Sequence, residues 1–361
     1  MKVGIMGYFG YGNVGDEAIL EYELRDLQFH FPLYEFIVIT DNFKNEKSIL
    51  NLKCIPQEVG HIVKEHFDLI LWGGGWILYD TARNKQYFRK EVKFLHRLSE
   101  KLSECRIILY GVSVGPIVYK RDVDLALKAR LQHVISFAIV RDKFSGQQLI
   151  KIGFTDKQIL RGADLGYEVI PLANPKTIIE DSNFIVLSLS NYVNLEKIDI
   201  KDIIRFCQEI PEKIILLPAQ YSSSERDDLR YAENLQKKIG DKSRVLKSFN
   251  RAPEEIAGIL AKAKYVITNR LHIAILSSIS GTPVIGISCP NKLTFFYNDI
   301  RKENLCLQAN QISVSKLRNL ATNICNHRKS LSRDIQQKVS LVRQKALIDA
   351  QRLEEIIGKF N

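Results

Sequence analysis

"MGYFGYGNVGDEAIL", residues 6–20, follows directly on the apolar run Val3 to Met6 and spells G-x-G-x-x-G at Gly10, Gly12 and Gly15. A short β-branched run that meets glycines and then a helix start is the opening of a βα unit, with its turn at the carboxyl end of a strand. In a dinucleotide-binding turn the first glycine sits at the strand tip. Here Gly7 holds that place, and the spelled motif begins only after Tyr8 and Phe9. Asp41, just past the next apolar run, keeps a nicotinamide reading open, but the register weakens it. The broader expectation is a strand, a glycine-rich turn and a helix beginning near Gly15-Asp16-Glu17, its N–H groups turned toward an anion or a polar sugar. For one loop taken alone, a tight turn is the plainer account.

The pattern repeats. Val3 to Met6, Phe36 to Thr40, Leu69 to Trp72, Ile107 to Tyr110 and Ile135 to Val140 are short apolar runs separated by helix-like polar segments. Strands buried on both faces with crossover helices between them make a parallel, doubly wound sheet. After the turn-rich stretch Pro171 to Asn183 a second series begins: Phe184 to Leu189, Ile214 to Leu217, Tyr265 to Thr268 and Val284 to Ile287. The expected fold is therefore α/β with two Rossmann-like doubly wound domains facing a cleft. The expected limits are an N-terminal domain over 1–174, a C-terminal domain over 175–326 and a helical tail over 327–361.

Two more glycine loops close strands in the first half. "LILWGGGWILYD" carries Gly73, Gly74 and Gly75, and "IILYGVSVGPI" carries Gly111 and Gly115. In a parallel sheet such turns open on one edge, so Gly12, Gly74, Gly75 and Ser113 become candidate substrate contacts. The third loop also spells G-x-S-x-G around Ser113, the wording of a hydrolase nucleophile elbow, but Pro116 stands where the following helix should start. In the second half, "YVITNRLHIAILSSISGTPVIGIS" places Arg270 and His272 between a strand end and a buried helix. A guanidinium and a helix start together suit a carboxylate or phosphate. A salt-bridged arginine and a core histidine are the structural alternative for an isolated pair. Arg141, Asp142 and Asp164 read as structural pairs.

Composition narrows the class. With 361 residues, 45% hydrophobic and 26% charged, the chain supports two cores and is not disordered. A formal charge of +11 and a pI near 9.2 favour acidic partners. No zinc-finger or RNA-binding signature is spelled, so nucleic acid is not among the expected partners. The six cysteines are widely spaced with no C-x-x-C pair, and several, in or beside apolar runs, read as small buried hydrophobes. No His, Cys and carboxylate cluster calls for a metal. The start, Met1-Lys2 running straight into a strand, reads as that of a cytoplasmic protein. The tail from His327 to Asn361 has 8 Lys and Arg against 4 Asp and Glu and reads as an amphipathic helix packed on the body, with peripheral membrane contact as the lesser reading.

"GYFGYGNVGDEAIL", "LWGGGWILYD", "GVSVGP", "VRD" at Val140 to Asp142, "GADLGY" at Gly162 to Tyr167 and "NRLHIAILSSISGTPVIGIS" stand in an order that resembles the polysaccharide pyruvyl transferase family, from about Lys2 to Lys292. The resemblance implies a GT-B-like pair of domains and transfer of pyruvyl from phosphoenolpyruvate to a sugar hydroxyl pair in glycan biosynthesis. It implies no cofactor beyond that donor, and an acceptor that is nucleotide-linked, lipid-linked or polymeric. Arg270 and Lys292 are then the expected anion holders and His272 the acid or phosphate partner. Asn13, Asp16 and Glu17 would orient or deprotonate sugar hydroxyls, Asp16 with a helix cap as its alternative. Ser113 replaces a glycine usual in the family, and Cys289-Pro290-Asn291 replaces the wording usual before Lys292. A glycosyltransferase or sugar-nucleotide epimerase of the GT-B type is the competing enzyme class, and a non-catalytic sugar- or nucleotide-binding protein the third.

Overall fold

The computed structural model describes residues 1–42, 52–79, 87–117, 130–175, 183–190, 200–221, 227–247, 251–288 and 292–358. Cys289-Pro290-Asn291 and the middle of the turn-rich stretch near residue 175 lie outside them. Two compact units emerge: Met1–Gly10 with Ile19–Leu165 and Lys345–Asn361, and Tyr11–Ala18 with Gly166–Gln344. The change of unit at Leu165 and Gly166 comes ahead of Pro171, and the end of the helical tail belongs to the first unit.

The first unit holds β1 (Lys2–Met6), β2 (Glu35–Ile39), β3 (Cys54–Ile55), β4 (Leu69–Trp72), β5 (Trp76–Ile77), β6 (Arg106–Val114), β7 (Ile135–Val140) and β8 (Ile159–Arg161). They run in the order β3-β2-β1-β4-β6-β7-β8, every pair parallel, with β5 attached to β6. The crossovers include α1 (Val14–His30), α2 (Val59–Glu65), α3 (Tyr87–Lys101) and α4 (Lys143–Lys151). Strands such as "LILW" are buried at every position because helices cover both faces, which is why they read as unbroken apolar runs. Met6, Ile39, Ile70, Trp72, Leu95 and Leu109 belong to the resulting core. Each such side chain removed from water contributes roughly 1.5–3 kcal/mol.

One expectation needs correcting. Gly111 to Val114 do not form a loop after the third strand: β6 continues through them, Val112 pairing with Val140 and Ser113 with Trp76. Val112 and Val114 are fully buried, so the alternating apolar side chains carry the strand past Gly111. Ser113 therefore sits in an extended strand, not on the strand-to-helix turn that a nucleophile elbow requires.

The second unit repeats the plan in β9 (Phe184–Ser188), β10 (Lys213–Leu216), β11 (Ser243–Val245), β12 (Val266–Thr268), β13 (Val284–Ser288) and β14 (Cys306–Gln308), ordered β11-β10-β9-β12-β13-β14 and parallel throughout. Its helices include α5 (Ile200–Glu209), α6 (Asp228–Ile239), α7 (Pro253–Lys262), α8 (Leu271–Ile279), α9 (Lys292–Asp299) and α10 (Val314–Asn326), and α11 (Arg328–Gly358) closes the chain. Local signals place several starts: Asp227 caps α6 by accepting from the Leu229 N–H, Pro253 opens α7, and Ser313 caps α10. Of the cysteines, Cys207 is buried as expected, and burial pushes its thiol up to about 12, whereas Cys325 is exposed.

Strand order locates the ligand edge of each unit. The winding direction reverses between β1 and β4 in the first sheet and between β9 and β12 in the second. Ligands of open α/β sheets bind outside the strand ends at such reversal points. Gly7–Gly10 and Gly73–Gly75 follow β1 and β4, while Ser190 and Asn269-Arg270 follow β9 and β12.

Candidate active site

In the second unit, Thr268 ends β12 with its hydroxyl donating to the Ser188 carbonyl and accepting from the Arg270 N–H. The buried Asn269 side chain then ties the two reversal-point strands together: its Oδ1 accepts from the Ser190 N–H at 2.8 Å and its Nδ2 donates to the Ser190 carbonyl at 3.0 Å. Arg270 is the last residue before α8 and does not cap it. Its guanidinium turns aside, Nη2 donating to Asp228 Oδ1 at 2.6 Å and Nη1 to Gln220 Oε1 at 3.0 Å, while the buried Nε makes no hydrogen bond. Asp228 is buried at the start of α6 and also accepts from the Ala219 N–H. Burial pushes its carboxyl above the usual carboxylate range, against the pull of the Arg270 guanidinium.

The glycine loop of residues 11–18 belongs to this same unit. Asn13 and Gln220 form an isolated antiparallel bridge, with the Val14 N–H donating to the Ala219 carbonyl at 3.0 Å and the Tyr221 N–H to the Gly12 carbonyl at 3.2 Å. Asn13 caps α1, its Oδ1 accepting from the Gly15 N–H at 3.0 Å, and Glu17 Oε1 accepts from the Gly12 N–H at 3.3 Å. Two expectations change here. The cap is Asn13, not Asp16, which lies buried inside the first turn. Of the helix-start N–H groups expected to face a ligand, those of Gly15 and Glu17 are instead satisfied by Asn13, and the loop N–H groups of Gly12 and Val14 are taken by Glu17 and by the Ala219 carbonyl.

His272, on the first turn of α8, packs directly on this loop. Its Nδ1 lies 1.8 Å, its Cγ 2.2 Å and its Cβ 2.6 Å from where a β-carbon on Gly15 would sit, so only glycine leaves the imidazole its place. The positive ends of α1 and α8 thus meet at His272, and α8 has no side-chain cap. Lys292 opens α9 after β13.

The first unit contributes a different set. Gly74, at φ +68°, is covered by the Phe9 ring, whose nearest atom is 2.5 Å from the point a β-carbon would occupy. Gly75 uses its carbonyl to accept from the Ser113 N–H at 3.0 Å. Ser113 is engaged by its neighbours: its hydroxyl donates to Asp142 Oδ2 at 2.9 Å and accepts from Arg141 Nε at 2.5 Å. Arg141 in turn pairs with Asp164 at 2.7 Å, both side chains buried, and Asp142 caps α4. These are the structural pairs expected of "VRD" and "GADLGY". Asp41 serves a loop by accepting from the Gln57 N–H.

Asp228, Gln220 and Glu23 carry weight that sequence reasoning did not give them. Gln220 follows a strand end and Asp228 a helix cap, but only the fold brings them to Arg270. Glu23 was legible: it shares the buried stripe of α1 with Ile19 and Leu27. It is wholly buried beside Gly73, and neither carboxyl oxygen makes a hydrogen bond. Burial holds its acid well above the usual range.

These features define a GT-B-like two-domain α/β protein. Solved structures that share the fold include Anabaena Alr3699/HepE in complex with UDP-glucose (TM-score 0.65, 13% identity, 99% of this chain and 100% of that one). UDP-GlcNAc 2-epimerase from Neisseria meningitidis bound to UDP-GlcNAc (0.61, 10%, 99% and 100%) and sucrose-phosphate synthase from Thermosynechococcus elongatus (0.60, 13%, 100% and 100%) share it too. At such identities the likeness is one of fold. No curated protein matches the chain in sequence. The polysaccharide pyruvyl transferase family profile matches residues 13–291, and the chain belongs to that family. Among the described residues no helix is long and apolar enough to cross a membrane, and no three His, Cys, Asp or Glu residues gather as a metal site.

Proposed function

We propose that this protein transfers the pyruvyl group of phosphoenolpyruvate to a pair of hydroxyls on a sugar, forming a ketal and releasing phosphate. The observation that carries the reading is the meeting of two helix N-termini at His272, one of them uncapped, with the Arg270 guanidinium, nearby in sequence, held by Asp228 and by Gln220, the bridge partner of Asn13. A small polyanion is the ligand such an arrangement favours.

The chemistry needs a proton at C3 of the donor, attack of one sugar hydroxyl on C2, and displacement of phosphate by the second hydroxyl. Each hydroxyl loses its proton; one proton is gained at C3 and the other leaves with the phosphate as its bond to C2 breaks, so the sum is ketal plus inorganic phosphate. His272 serves as the acid or phosphate partner, and Arg270 with Lys292 neutralises the donor. Asp16, Glu17 and Asn13 sit on the first turn of α1 and its cap, on the loop that His272 packs against, where they orient or deprotonate the acceptor. Gly12 acts in this reading through backbone shape, since Glu17 accepts from its N–H, while Gly74, Gly75 and Ser113 are engaged by the contacts within their own unit described above. The relatives in complex with UDP-sugars make a nucleotide-linked sugar the first acceptor to try, in glycan biosynthesis within the cytoplasm.

The test is incubation with phosphoenolpyruvate and a panel of nucleotide-linked, lipid-linked and polymeric sugars, read by phosphate release and mass spectrometry. Phosphate together with one added pyruvyl mass is the expected result. Release of nucleoside diphosphate without pyruvylation makes the protein a glycosyltransferase and overturns the proposal, and so does an absence of turnover across the panel.

A further inference from the structure

Gln220, just past the end of β10, is buried, and its main chain and side chain hold different partners. Through the main chain it forms the antiparallel bridge with Asn13, flanked by the Val14 N–H on the Ala219 carbonyl and the Tyr221 N–H on the Gly12 carbonyl. Through the side chain, its Oε1 accepts from Arg270 Nη1 at 3.0 Å. One residue therefore joins the loop that carries Asn13, Asp16 and Glu17 to the guanidinium of Arg270. All of these residues belong to the second unit.

The two contacts make different demands on the sequence. A main-chain bridge uses backbone groups that nearly any residue supplies, whereas the contact with Arg270 needs a side chain of this length that ends in an acceptor. A guanidinium has donors only, so the amide must offer it oxygen. The other arm of the fork is anchored to the body of the unit: Nη2 donates to Asp228, which also accepts from the Ala219 N–H and the Ser190 hydroxyl. The Asp228 N–H in turn donates to the Gln220 carbonyl at 3.0 Å. Arg270 is thus held between a fixed carboxylate and the residue that bridges to the loop, and His272 meets the same loop at Gly15.

We propose that Gln220 is a positioning residue that couples the two substrates: an anion bound at Arg270 steadies the Asn13 loop through it, and an acceptor on that loop steadies Arg270 in return. The inference rests on the reading above, in which Arg270 holds the donor and Asn13, Asp16 and Glu17 meet the acceptor. Its physical basis is restraint. A bound anion fixes the guanidinium, and the Oε1 contact passes that restraint to the residue whose backbone closes the bridge, so opening the loop becomes more costly. Because binding free energies are linked, the effect runs equally in both directions.

The test needs the donor alone and no turnover. Amide hydrogen exchange over residues 11–18 is followed with and without phosphoenolpyruvate, beside calorimetric titration of the same ligand. In the wild type, saturating phosphoenolpyruvate is expected to slow exchange at residues 12–15 by about fivefold or more. Gln220→Met keeps the length and the backbone bridge but loses the acceptor atom. It is expected to bind phosphoenolpyruvate about tenfold more weakly and, once saturated, to show no loop protection, with ligand-free exchange and thermal unfolding close to wild type. Gln220→Glu keeps an oxygen for Arg270 but has no amide nitrogen, and is expected to restore most of the protection, which separates the Oε1 contact from any other work of the amide. Full protection in saturated Gln220→Met overturns the inference, as does a loop already loosened in that variant without ligand, or a Gln220→Glu protein that behaves like Gln220→Met. Phosphoenolpyruvate binding without loop protection in the wild type removes this inference alone and leaves the donor reading standing. No binding of phosphoenolpyruvate brings both down.

Discussion

His272 Nδ1 lies 1.8 Å from the position a β-carbon on Gly15 would take. Gly15 is the second residue of α1 with no left-handed backbone, so by propensity alone alanine there would stabilise the helix, by roughly 0.5–1 kcal/mol. The imidazole reverses the sign. Because Cβ and Cγ of His272 lie within 3.0 Å of that point as well, rotation of the ring cannot relieve the clash. Gly15→Ala is expected to lower kcat/KM by about a hundredfold while the protein stays folded, measured by steady-state kinetics beside thermal denaturation. Wild-type kinetics in that variant would show that His272 placement is immaterial.

His272 itself is expected to act in turnover more than in affinity. His272→Ala should reduce kcat by roughly two to four orders of magnitude with a smaller change in donor affinity. His272→Gln retains hydrogen bonding but cannot deliver a proton in the same way, so near-wild-type kcat in that variant would eliminate the acid role.

Arg270 and Asp228 are two halves of one buried contact, 2.6 Å apart with 16% and 1% of their side chains exposed. Asp228→Ala leaves the guanidinium uncompensated and is expected to cost about 3–5 kcal/mol in urea unfolding. Arg270→Lys keeps the charge but loses the planar fork that reaches Asp228 and Gln220 together, so donor KM should rise more than kcat falls. An Asp228→Ala loss under about 1 kcal/mol would show that the pair is not a structural clamp.

Glu23 ties stability to pH. Its folded-state acid is raised by burial, so its contribution is complete below the unfolded value of about 4.3 and is lost as pH rises toward the folded one. Glu23→Gln, neutral at every pH, should be more stable than wild type near neutrality, with a gap that widens as pH increases from 5. Parallel stability curves for the two proteins between pH 5 and 8 would refute a buried neutral acid.

Ser113→Ala discriminates an internal hydrogen-bonding serine from a nucleophile. Loss of its bonds to Asp142 and Arg141 should cost about 1–2 kcal/mol in stability while turnover stays within a few-fold. A fall in kcat of a thousandfold in the folded variant would restore the hydrolase elbow.

The sequence by itself determined the two parallel sheets, because strands covered on both faces must be continuous apolar runs, and "KVGIM", "LILW" and "FIVLS" are legible as such. Short edge strands such as Cys54–Ile55 and Ser243–Val245 were not legible, since two or three residues carry no periodicity. The glycine loops, Arg270 and His272 were legible as strand-end residues of a particular chemistry. What each does there was decided by tertiary structure alone. A glycine reads the same whether it admits a ligand or a neighbouring side chain, and only the packed fold put His272 on Gly15 and Phe9 on Gly74. An arginine reads the same whether its fork is open or taken. Asp228 and Gln220, 42 and 50 positions away, reach it only because β10 and β12 flank β9 in one sheet.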